Sequence, residues 1–202
     1  MTNLLTHDGD APEDAPGNRT GGLPLAPAGF TWPTCAECDR PLQFLAQLLL
    51  DDDRRLLAIF QCANDPGLCD EWDANAGGNR AYLFDNQDLR PVPAPGGGET
   101  GLGAVSAIRT EPPAEDDYDE AIAAWAARTG RSRREVLGGI GGEPSWLQFD
   151  QTPSCVDCAR PMRFAAHLEE GRDSQTAINL GGGVGYAFRC GQHLRAKFLW
   201  QR

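Results

Sequence analysis

Several short runs of the chain alternate hydrophobic and polar positions, the pattern of a strand with one buried face. In the run QFLAQL, the residues Phe44, Ala46 and Leu48 fall on one side of such a strand. The sequence is therefore predicted to be rich in strands. The predicted strands cover residues 42–49, 56–62, 81–84, 104–109, 146–149, 162–168, 176–180, 185–190 and 196–201.

One segment, DDYDEAIAAWAARTG, follows the helical period instead. Tyr118, Ile122 and Trp125 lie on one face, Asp117 is a suitable N-cap, and Gly130 is a suitable stop. These features predict a helix over residues 117–129.

The segment at 141–168 repeats the segment at 21–48, with eleven identities in twenty-eight ungapped positions. The similarity resumes where YAFRC at 186–190 aligns with AIFQC at 58–62, an offset of 128 rather than 120. A repeat of this kind indicates an internal duplication. We therefore expect a strand-rich α+β fold with two similar lobes and one connecting helix.

The repeat suggests the domain boundaries. Lobe one is predicted at 21–85 and lobe two at 138–202, and the Pro- and Gly-rich stretch from 86 to 137 is interpreted as a linker that contains the helix. Residues 1–20 are acidic and rich in Pro, Gly and Asp, which predicts a flexible tail. Lobes of this size are near the limit at which a hydrophobic core alone is stable, so a covalent or metal cross-link is expected.

The seven cysteines supply the candidate cross-links. The N-terminus lacks a signal-peptide pattern, which predicts a cytoplasmic protein whose cysteines are better explained as metal ligands than as disulfides. Each lobe carries a Cys-x-x-Cys pair and two later ligands. The predicted ligands are Cys35, Cys38, Cys62 and Cys69 in lobe one, and Cys155, Cys158, Cys190 and His193 in lobe two.

Zinc suits both ligand sets, because it binds thiolate and imidazole in tetrahedral four-ligand sites. Two structural zinc ions are therefore predicted, each contributing on the order of 10 kcal/mol to folding. Buried free thiols, or a disulfide between Cys62 and Cys69, remain open as alternatives.

Charge narrows the class of partner. The formal net charge of -11 disfavours nucleic acid and anionic membranes and favours a basic protein or polypeptide. No stretch approaches eighteen apolar residues, so no membrane span is expected. The sequence contains neither a phosphate-binding glycine loop between a strand and a helix nor a nucleophile elbow, and we predict that the protein is not an enzyme.

Several polar and aromatic residues are candidates for partner binding. His167 replaces Gln47 in the repeat, and a polar strand residue is the simpler interpretation of both. Tryptophans close to the ligand segments are either packed in the interior or serve as interface anchors. The candidates are Gln47, Trp72, Asn79, Trp146, Gln148 and His167, and the expected site is a cleft between the lobes.

Three segments carry a resemblance to a known family: LLAIFQCANDPGLCDEWDANAGGNRAYLF, GGEPSWLQ and GYAFRCGQHLRAKFLWQ. They resemble the YwqG-like family, a bacterial domain of unknown function. The order of Cys35, Cys38, the FLAQL strand and Cys62 is also distantly similar to the programmed-cell-death-protein-2 family of eukaryotes. The resemblance covers about residues 21–85 and 135–202, and it implies a duplicated, strand-rich α+β fold. Its pattern includes Gln47, Asn64, Asn79 and Gln148, with His167 departing from a glutamine.

The resemblance implies a protein that grips another polypeptide. Bacterial relatives look like toxin-neutralising immunity proteins, and eukaryotic relatives look like holders of a ribosomal protein. We therefore expect a zinc-stabilised protein-binding module, with a toxin-neutralising immunity protein as the first hypothesis and a chaperone-like holder of a basic or ribosomal segment as the second. A metal-dependent hydrolase acting on RNA or peptide is the third hypothesis, and the acidic charge counts against a role in RNA processing.

Overall fold

The computed structural model describes residues 1–50, 54–173 and 178–202, and over these residues the protein is a β-structure with one α-helix. The prediction of a strand-rich fold with a single helix is confirmed. The strands are β1 (Asn3–Asp10), β2 (Arg19–Thr20), β3 (Leu25–Ala26), β4 (Gln43–Leu50), β5 (Arg55–Gln61), β6 (Asn79–Asp85), β7 (Arg90–Pro91), β8 (Ser106–Glu111), β9 (Val136–Ile140), β10 (Arg163–Leu168), β11 (Val184–Arg189) and β12 (Ala196–Gln201). The helix α1 (Tyr118–Thr129) and a short 3₁₀ helix (Arg133–Glu135) connect β8 to β9.

Ten strands form one antiparallel sheet in the order β12-β11-β10-β9-β1-β8-β2-β4-β5-β6, and β3 pairs separately with β7. The edge strands β6 and β12 approach each other, so the sheet is nearly closed. The Trp200 amide of β12 donates to the carbonyl of Trp72, in the loop before β6, at 3.3 Å. We call this line of contact between the two edges the seam.

The main hydrophobic core lies within the curved sheet and draws on both halves of the chain. Leu48 of β4 and Leu168 of β10 are fully buried in the same cluster. The two predicted lobes therefore share one sheet and one main core. A half-sheet with one open face would leave its apolar surface in water, and closure with the other half removes it.

Residues 3–10 and 19–20 are part of this sheet, and the prediction of a flexible tail at 1–20 is wrong. Strand β1 pairs with β8 on one side and β9 on the other. Leu4 and Leu5 are buried on its two sides, in the helix cluster and in the main core. Burial of this NLLT run and pairing along both edges outweigh the acidic composition that favours disorder.

The predicted helix is confirmed. Asp117 caps it by accepting from the Glu120 amide at 3.0 Å, and Gly130 ends it with a φ of 70°. Tyr118 and Trp125 pack with Leu4 on the outer side of the sheet. The segment interpreted as a linker thus supplies strand β8 and a helix that covers the centre of the sheet. Among the described residues, no helix is long and apolar enough to cross a membrane.

Two strand predictions differ from the structure. Residues 147–149 form bends with exposed Leu147 and Phe149, because this segment lies outside the sheet and is held by the Trp146 ring and the Leu147 amide, both of which contact Tyr186. The predicted strand at 176–180 lies partly outside the described residues, and its described part, 178–180, is not a strand. Strand β9, sequence VLGGI, was not predicted, because two central glycines obscure the strand pattern.

The two repeated segments have matching backbone hydrogen bonds. Both β4 and β10 contain a register shift at the same place, between Phe44 and Ala46 and between Phe164 and Ala166. The shift breaks the predicted alternation, since Phe44 packs in a separate cluster from Leu48. The Gly21 amide donates to the Leu45 carbonyl at 2.8 Å, and the equivalent Gly141 amide donates to the Ala165 carbonyl at 2.9 Å. In the same way, the Leu42 amide donates to the Pro33 carbonyl at 3.0 Å, and the Met162 amide donates to the Pro153 carbonyl at 2.9 Å.

Candidate metal centres

Each Cys-x-x-Cys pair lies in a tight turn just before a long strand. In the first turn, the Cys35 amide donates to the Arg40 carbonyl at 2.9 Å, and the Asp39 amide donates back to the Cys35 carbonyl at 3.1 Å. Asp39 has a left-handed backbone, with a φ of 56°. The turn folds the chain back on itself, so that both thiols project from one side of it.

Strand pairing brings the third ligand to this turn. Gln43 at the start of β4 pairs with Gln61 at the end of β5, and Cys62 follows directly. The end of β5 therefore lies next to the turn that precedes β4. The Cys38 and Cys62 sulfurs are 3.7 Å apart.

The fourth ligand comes from the loop between β5 and β6. The carbonyls of Gly77 and Gly78 accept from Ala36 and Cys62 at 3.1 and 2.7 Å, which ties this loop to the turn. Gly78 has no room for a side chain, because a Cβ there would lie 2.1 Å from the Cys69 carbonyl oxygen. This close backbone contact holds Cys69 next to Cys62, because Gly78 is hydrogen-bonded to the Cys62 amide. An ion pair between Arg40 of the turn and Asp65 of the loop closes the outer side.

The second group is built in the same way. Arg163 pairs with Arg189, which places Cys190 beside the second turn. Its sulfur is 3.8 Å from Cys158 and 3.5 Å from Nδ1 of His193. The ion pair recurs with the charges exchanged, because Asp157 of the turn binds Arg195 of the loop at 2.7 Å.

All eight predicted ligands are therefore brought together in two groups of four. Within each group, the ligand atoms all lie within 4.8 Å of one another, and each group could hold a metal ion. The cysteines are free thiols, so no disulfide joins Cys62 to Cys69.

The electrostatics of the groups suit a cation. Hydrogen bonds from the Gln192 amide and from His193 lower the pKa of Cys190 to about 6. Burial acts to raise the pKa of Cys38, but hydrogen bonds from the Arg40 backbone and the neighbouring thiols outweigh it and lower this pKa to about 7. Burial raises the pKa of Cys69 well above the ordinary thiol value. Neighbouring thiols thus compete for protons, and a bound cation would favour the thiolate form of all of them.

Two candidates for partner binding, Gln47 and His167, are fully buried and occupy equivalent positions. Gln47 Oε1 accepts from the Leu25 amide at 3.3 Å, and His167 Nε2 accepts from the Ser145 amide at 2.9 Å. Both side chains therefore fix the chain that follows the Gly-Gly turn. Neither is accessible to a partner, and the prediction that they bind one is wrong.

The His167 ring lies in a closed aromatic environment. It stacks on Tyr118 with ring centroids 4.1 Å apart, and burial lowers its pKa to about 3. The Tyr118 hydroxyl donates to Glu169 at 3.1 Å, and burial raises the pKa of Glu169 to about 7. His167 and Tyr118 are therefore internal packing groups.

The remaining candidates divide between interior and surface. Asn79 is buried and donates to the Glu71 carbonyl at 2.9 Å, so it is not a contact residue. Trp146 is half-buried against Tyr186, with ring centroids 4.6 Å apart. Trp72 and Gln148 are exposed and line one hollow of about 590 Å³ at the seam. The structure brings only these two of the six candidates to a common surface.

Arg19 is a buried residue that the sequence interpretation placed in a flexible tail. Its guanidinium is held by carbonyls and by the side chain of Gln47, and it lies 5.5 Å from the centre of the Phe44 ring. Position 139 corresponds to it in the second half and is glycine, where an added Cβ would meet Tyr118 at 2.8 Å. The GNRTGG context offered one signal, a basic residue two positions before the repeated glycines.

No family model matches this chain, and no curated protein matches it. The resemblance to the YwqG-like family therefore rests on the sequence segments quoted above.

Proposed function

We propose that both four-ligand groups bind zinc. A tetrahedral site with Zn–S bonds of about 2.3 Å requires sulfurs about 3.8 Å apart, and a sulfur and a histidine nitrogen about 3.6 Å apart. The sulfur pairs Cys38–Cys62 and Cys158–Cys190 are 3.7 and 3.8 Å apart. Nδ1 of His193 is 3.5 Å from Cys190 and 3.9 Å from Cys155. These distances fit zinc, whereas a disulfide requires about 2.05 Å.

Both zinc ions are structural in this proposal. Four protein ligands complete a tetrahedral shell, whereas a catalytic zinc keeps one position for water. Each ion would join a turn, a strand end and a loop, three segments that are also linked by hydrogen bonds and by one ion pair in each group. Loss of the metal is therefore expected to loosen the end of each half-sheet where the ligands lie.

We infer further that the two halves arose by duplication of one zinc-stapled unit. The paired hydrogen bonds around the turns, the shared register shift and the equivalent use of Gln47 and His167 support this origin. Each unit supplies half of a sheet that closes only when two are joined.

We propose that the protein is a zinc-stabilised binding module for a basic polypeptide, and not an enzyme. The observation that carries this proposal is the hollow at the seam, where both halves contribute to a surface with the half-exposed indole of Trp72. Exposed tryptophans at the rim of a concave surface are effective interface anchors. A net charge of -11 favours and steers a basic partner.

The resemblance to the YwqG-like family favours a toxin-neutralising immunity protein in the cytoplasm, and a chaperone-like holder of a basic or ribosomal segment is the alternative. Both would use the same surface. A toxin gene next to this one would favour the first.

The test uses zinc-replete protein and a labelled peptide rich in Arg and Lys, with an acidic peptide of equal length as control. Raising the salt from about 0.01 to 0.15 M shortens the Debye length from about 30 to about 8 Å, which should slow association with the basic peptide. The acidic peptide should not bind. The same samples are incubated with RNA and with peptide, and no cleavage is expected. Absence of salt-sensitive binding would overturn the proposal. Metal-dependent turnover that is lost on His167→Gln would overturn it in favour of the hydrolase.

A further inference from the structure

The seam hollow contains an unusual buried carboxylate. Glu71 lines the hollow and is only 3% exposed. Its Oε1 accepts from the Gly67 amide at 2.6 Å, while its Oε2 has no hydrogen-bond partner among the described residues. Asn79 and Gly78 fix the Glu71 backbone by a hydrogen bond and by close packing. A buried carboxylate oxygen without a donor is costly, and it is a strong acceptor for one supplied by a ligand.

Other groups at the hollow are also hydrogen-bond acceptors. The side-chain nitrogen Nε2 of Gln148 donates to the Arg202 carbonyl at 2.9 Å, which leaves the Gln148 side-chain oxygen for a ligand. The side-chain oxygen of Asn179 already accepts from the Gly181 amide at 3.1 Å and retains capacity for a second donor. These three side chains therefore favour a ligand that offers several hydrogen-bond donors.

Aromatic rings form the other wall. Trp72 is 41% exposed, and it meets Trp200 edge to face with ring centroids 6.4 Å apart and planes at 86°. A planar cation that stacks on an exposed indole next to a carboxylate is attracted both by the indole ring and by the carboxylate charge.

We propose that the seam hollow binds the guanidinium group of an arginine in the partner polypeptide, with Glu71 as acceptor and Trp72 as stacking surface. Guanidinium carries five donors and no acceptor, it is planar, and it pairs well with carboxylate. This assignment rests on the proposed function, because it names the side chain by which a basic partner is held.

Two other occupants are distinguishable. A water molecule could instead satisfy Glu71 Oε2, and Nε1 of Trp200 also lacks a partner among the described residues. An anion could instead bind Arg202, which lines the same hollow. The charge of Arg202 therefore separates the cases: it opposes a guanidinium and favours an anion.

The probe is arginine blocked at both ends, N-acetyl-arginine amide, titrated into zinc-replete protein while the indole N–H signals are followed by NMR. Blocked citrulline, which has nearly the same shape without the charge, is the matched probe, and blocked glutamate represents an anion. We expect the arginine probe to shift the Trp72 and Trp200 signals, and the other two to leave them unchanged.

Glu71→Gln should weaken binding of blocked arginine about tenfold or more, since a hydrogen bond to a charged group contributes about 1.5–3 kcal/mol. Trp72→Ala, at an exposed position, should also weaken it. Arg202→Gln should leave it unchanged or tighten it. Glu120→Gln, an exposed change on the helix with the same loss of charge, is the control and should have no effect. Zinc content and near-UV dichroism confirm that each variant is folded.

Failure of blocked arginine to bind, binding that survives Glu71→Gln, or weakening on Arg202→Gln would overturn the assignment. If a basic peptide still binds in a salt-sensitive way while Glu71→Gln has no effect, the proposed function stands and the hollow is not its arginine site. If blocked arginine binds as expected but no basic peptide does, the hollow is a guanidinium site and the proposed function fails.

Discussion

Replacing Arg19 by methionine tests whether the N-terminal segment is part of the folded core. Arg19 is 1% exposed, and its guanidinium donates to the carbonyls of Ala15, Gly21 and Leu23 and to Oε1 of Gln47. Methionine fills much of the same space but donates nothing. The substitution therefore removes the hydrogen bonds while most of the packing is kept.

The expected loss of stability depends on how many hydrogen-bond acceptors are left without a donor. Two of the four bonds, to Gly21 and Gln47, are buried, and the other two are partly accessible to water. A buried acceptor left without a partner costs about 1–3 kcal/mol, so the substitution should destabilise the protein by about 2–6 kcal/mol. Removing the desolvation cost of the guanidinium, whose pKa burial lowers to about 10, offsets part of this and favours the lower half of that range.

The assay is urea unfolding with zinc in excess, followed by tryptophan fluorescence. Arg128→Met is the matched control, because Arg128 is exposed and makes only a 3.5 Å ion pair with Glu111, which is expected to contribute less than about 1 kcal/mol. A change below about 1 kcal/mol for Arg19→Met would refute the reasoning and would mean that the segment is not packed as described.

Two further substitutions test other contacts. Burial lowers the pKa of His167 from its ordinary value of 6.5 to about 3, so between these two pH values the unfolded state binds the extra proton and the free energy of unfolding falls as the pH falls. His167→Gln should remove about 2 kcal/mol of the stability loss between pH 7 and 5, measured by urea unfolding. The opposite contribution of Glu169 is common to both proteins and cancels. An unchanged pH profile would contradict this. Gly78→Ala should destabilise the protein by about 1–3 kcal/mol and weaken metal binding, because the added Cβ meets the Cys69 carbonyl at 2.1 Å, and competition with a chelator checks it. Gly96→Ala, which meets no atom within 4 Å, is the control, and equal behaviour of the two would count against the described loop.

Local patterns in the sequence predict the helix and the two ligand groups well, since both depend on short-range spacing. Asp117 and Gly130 define the helix ends through hydrogen bonds within a few residues. The Cys-x-x-Cys turns are equally local, and the strands β5 and β11 that deliver Cys62 and Cys190 are short, largely apolar runs.

Features that depend on distant partners could not be predicted in the same way. Strand β1 is stable because β8 and β9, about a hundred residues away, pair with both of its edges. The burial of Arg19 depends on carbonyls that the folded turn assembles around it. The seam hollow depends on closure of the sheet, which brings Trp72 to Trp200. Composition and spacing contain no direct signal for any of these.

The resemblance and the charge predict a partner class, and they do not locate its site. Four of the six candidate contact residues are buried or packed against other side chains, because polar residues in this sheet satisfy the backbone of the Gly-Gly turns and ligand loops. Glu71, which was not a candidate, lies two residues after Cys69, and its position at the seam depends on the loop between β5 and β6.

Metal stoichiometry and X-ray absorption of protein purified without chelator test the central claim most directly. The account predicts two zinc ions per chain, with an average shell of sulfur ligands at about 2.3 Å and a small nitrogen contribution from His193. Cys158→Ser should reduce the zinc content to one. Folded, metal-free protein in which all seven cysteines react as free thiols, or zinc with water in its first shell, would contradict the account.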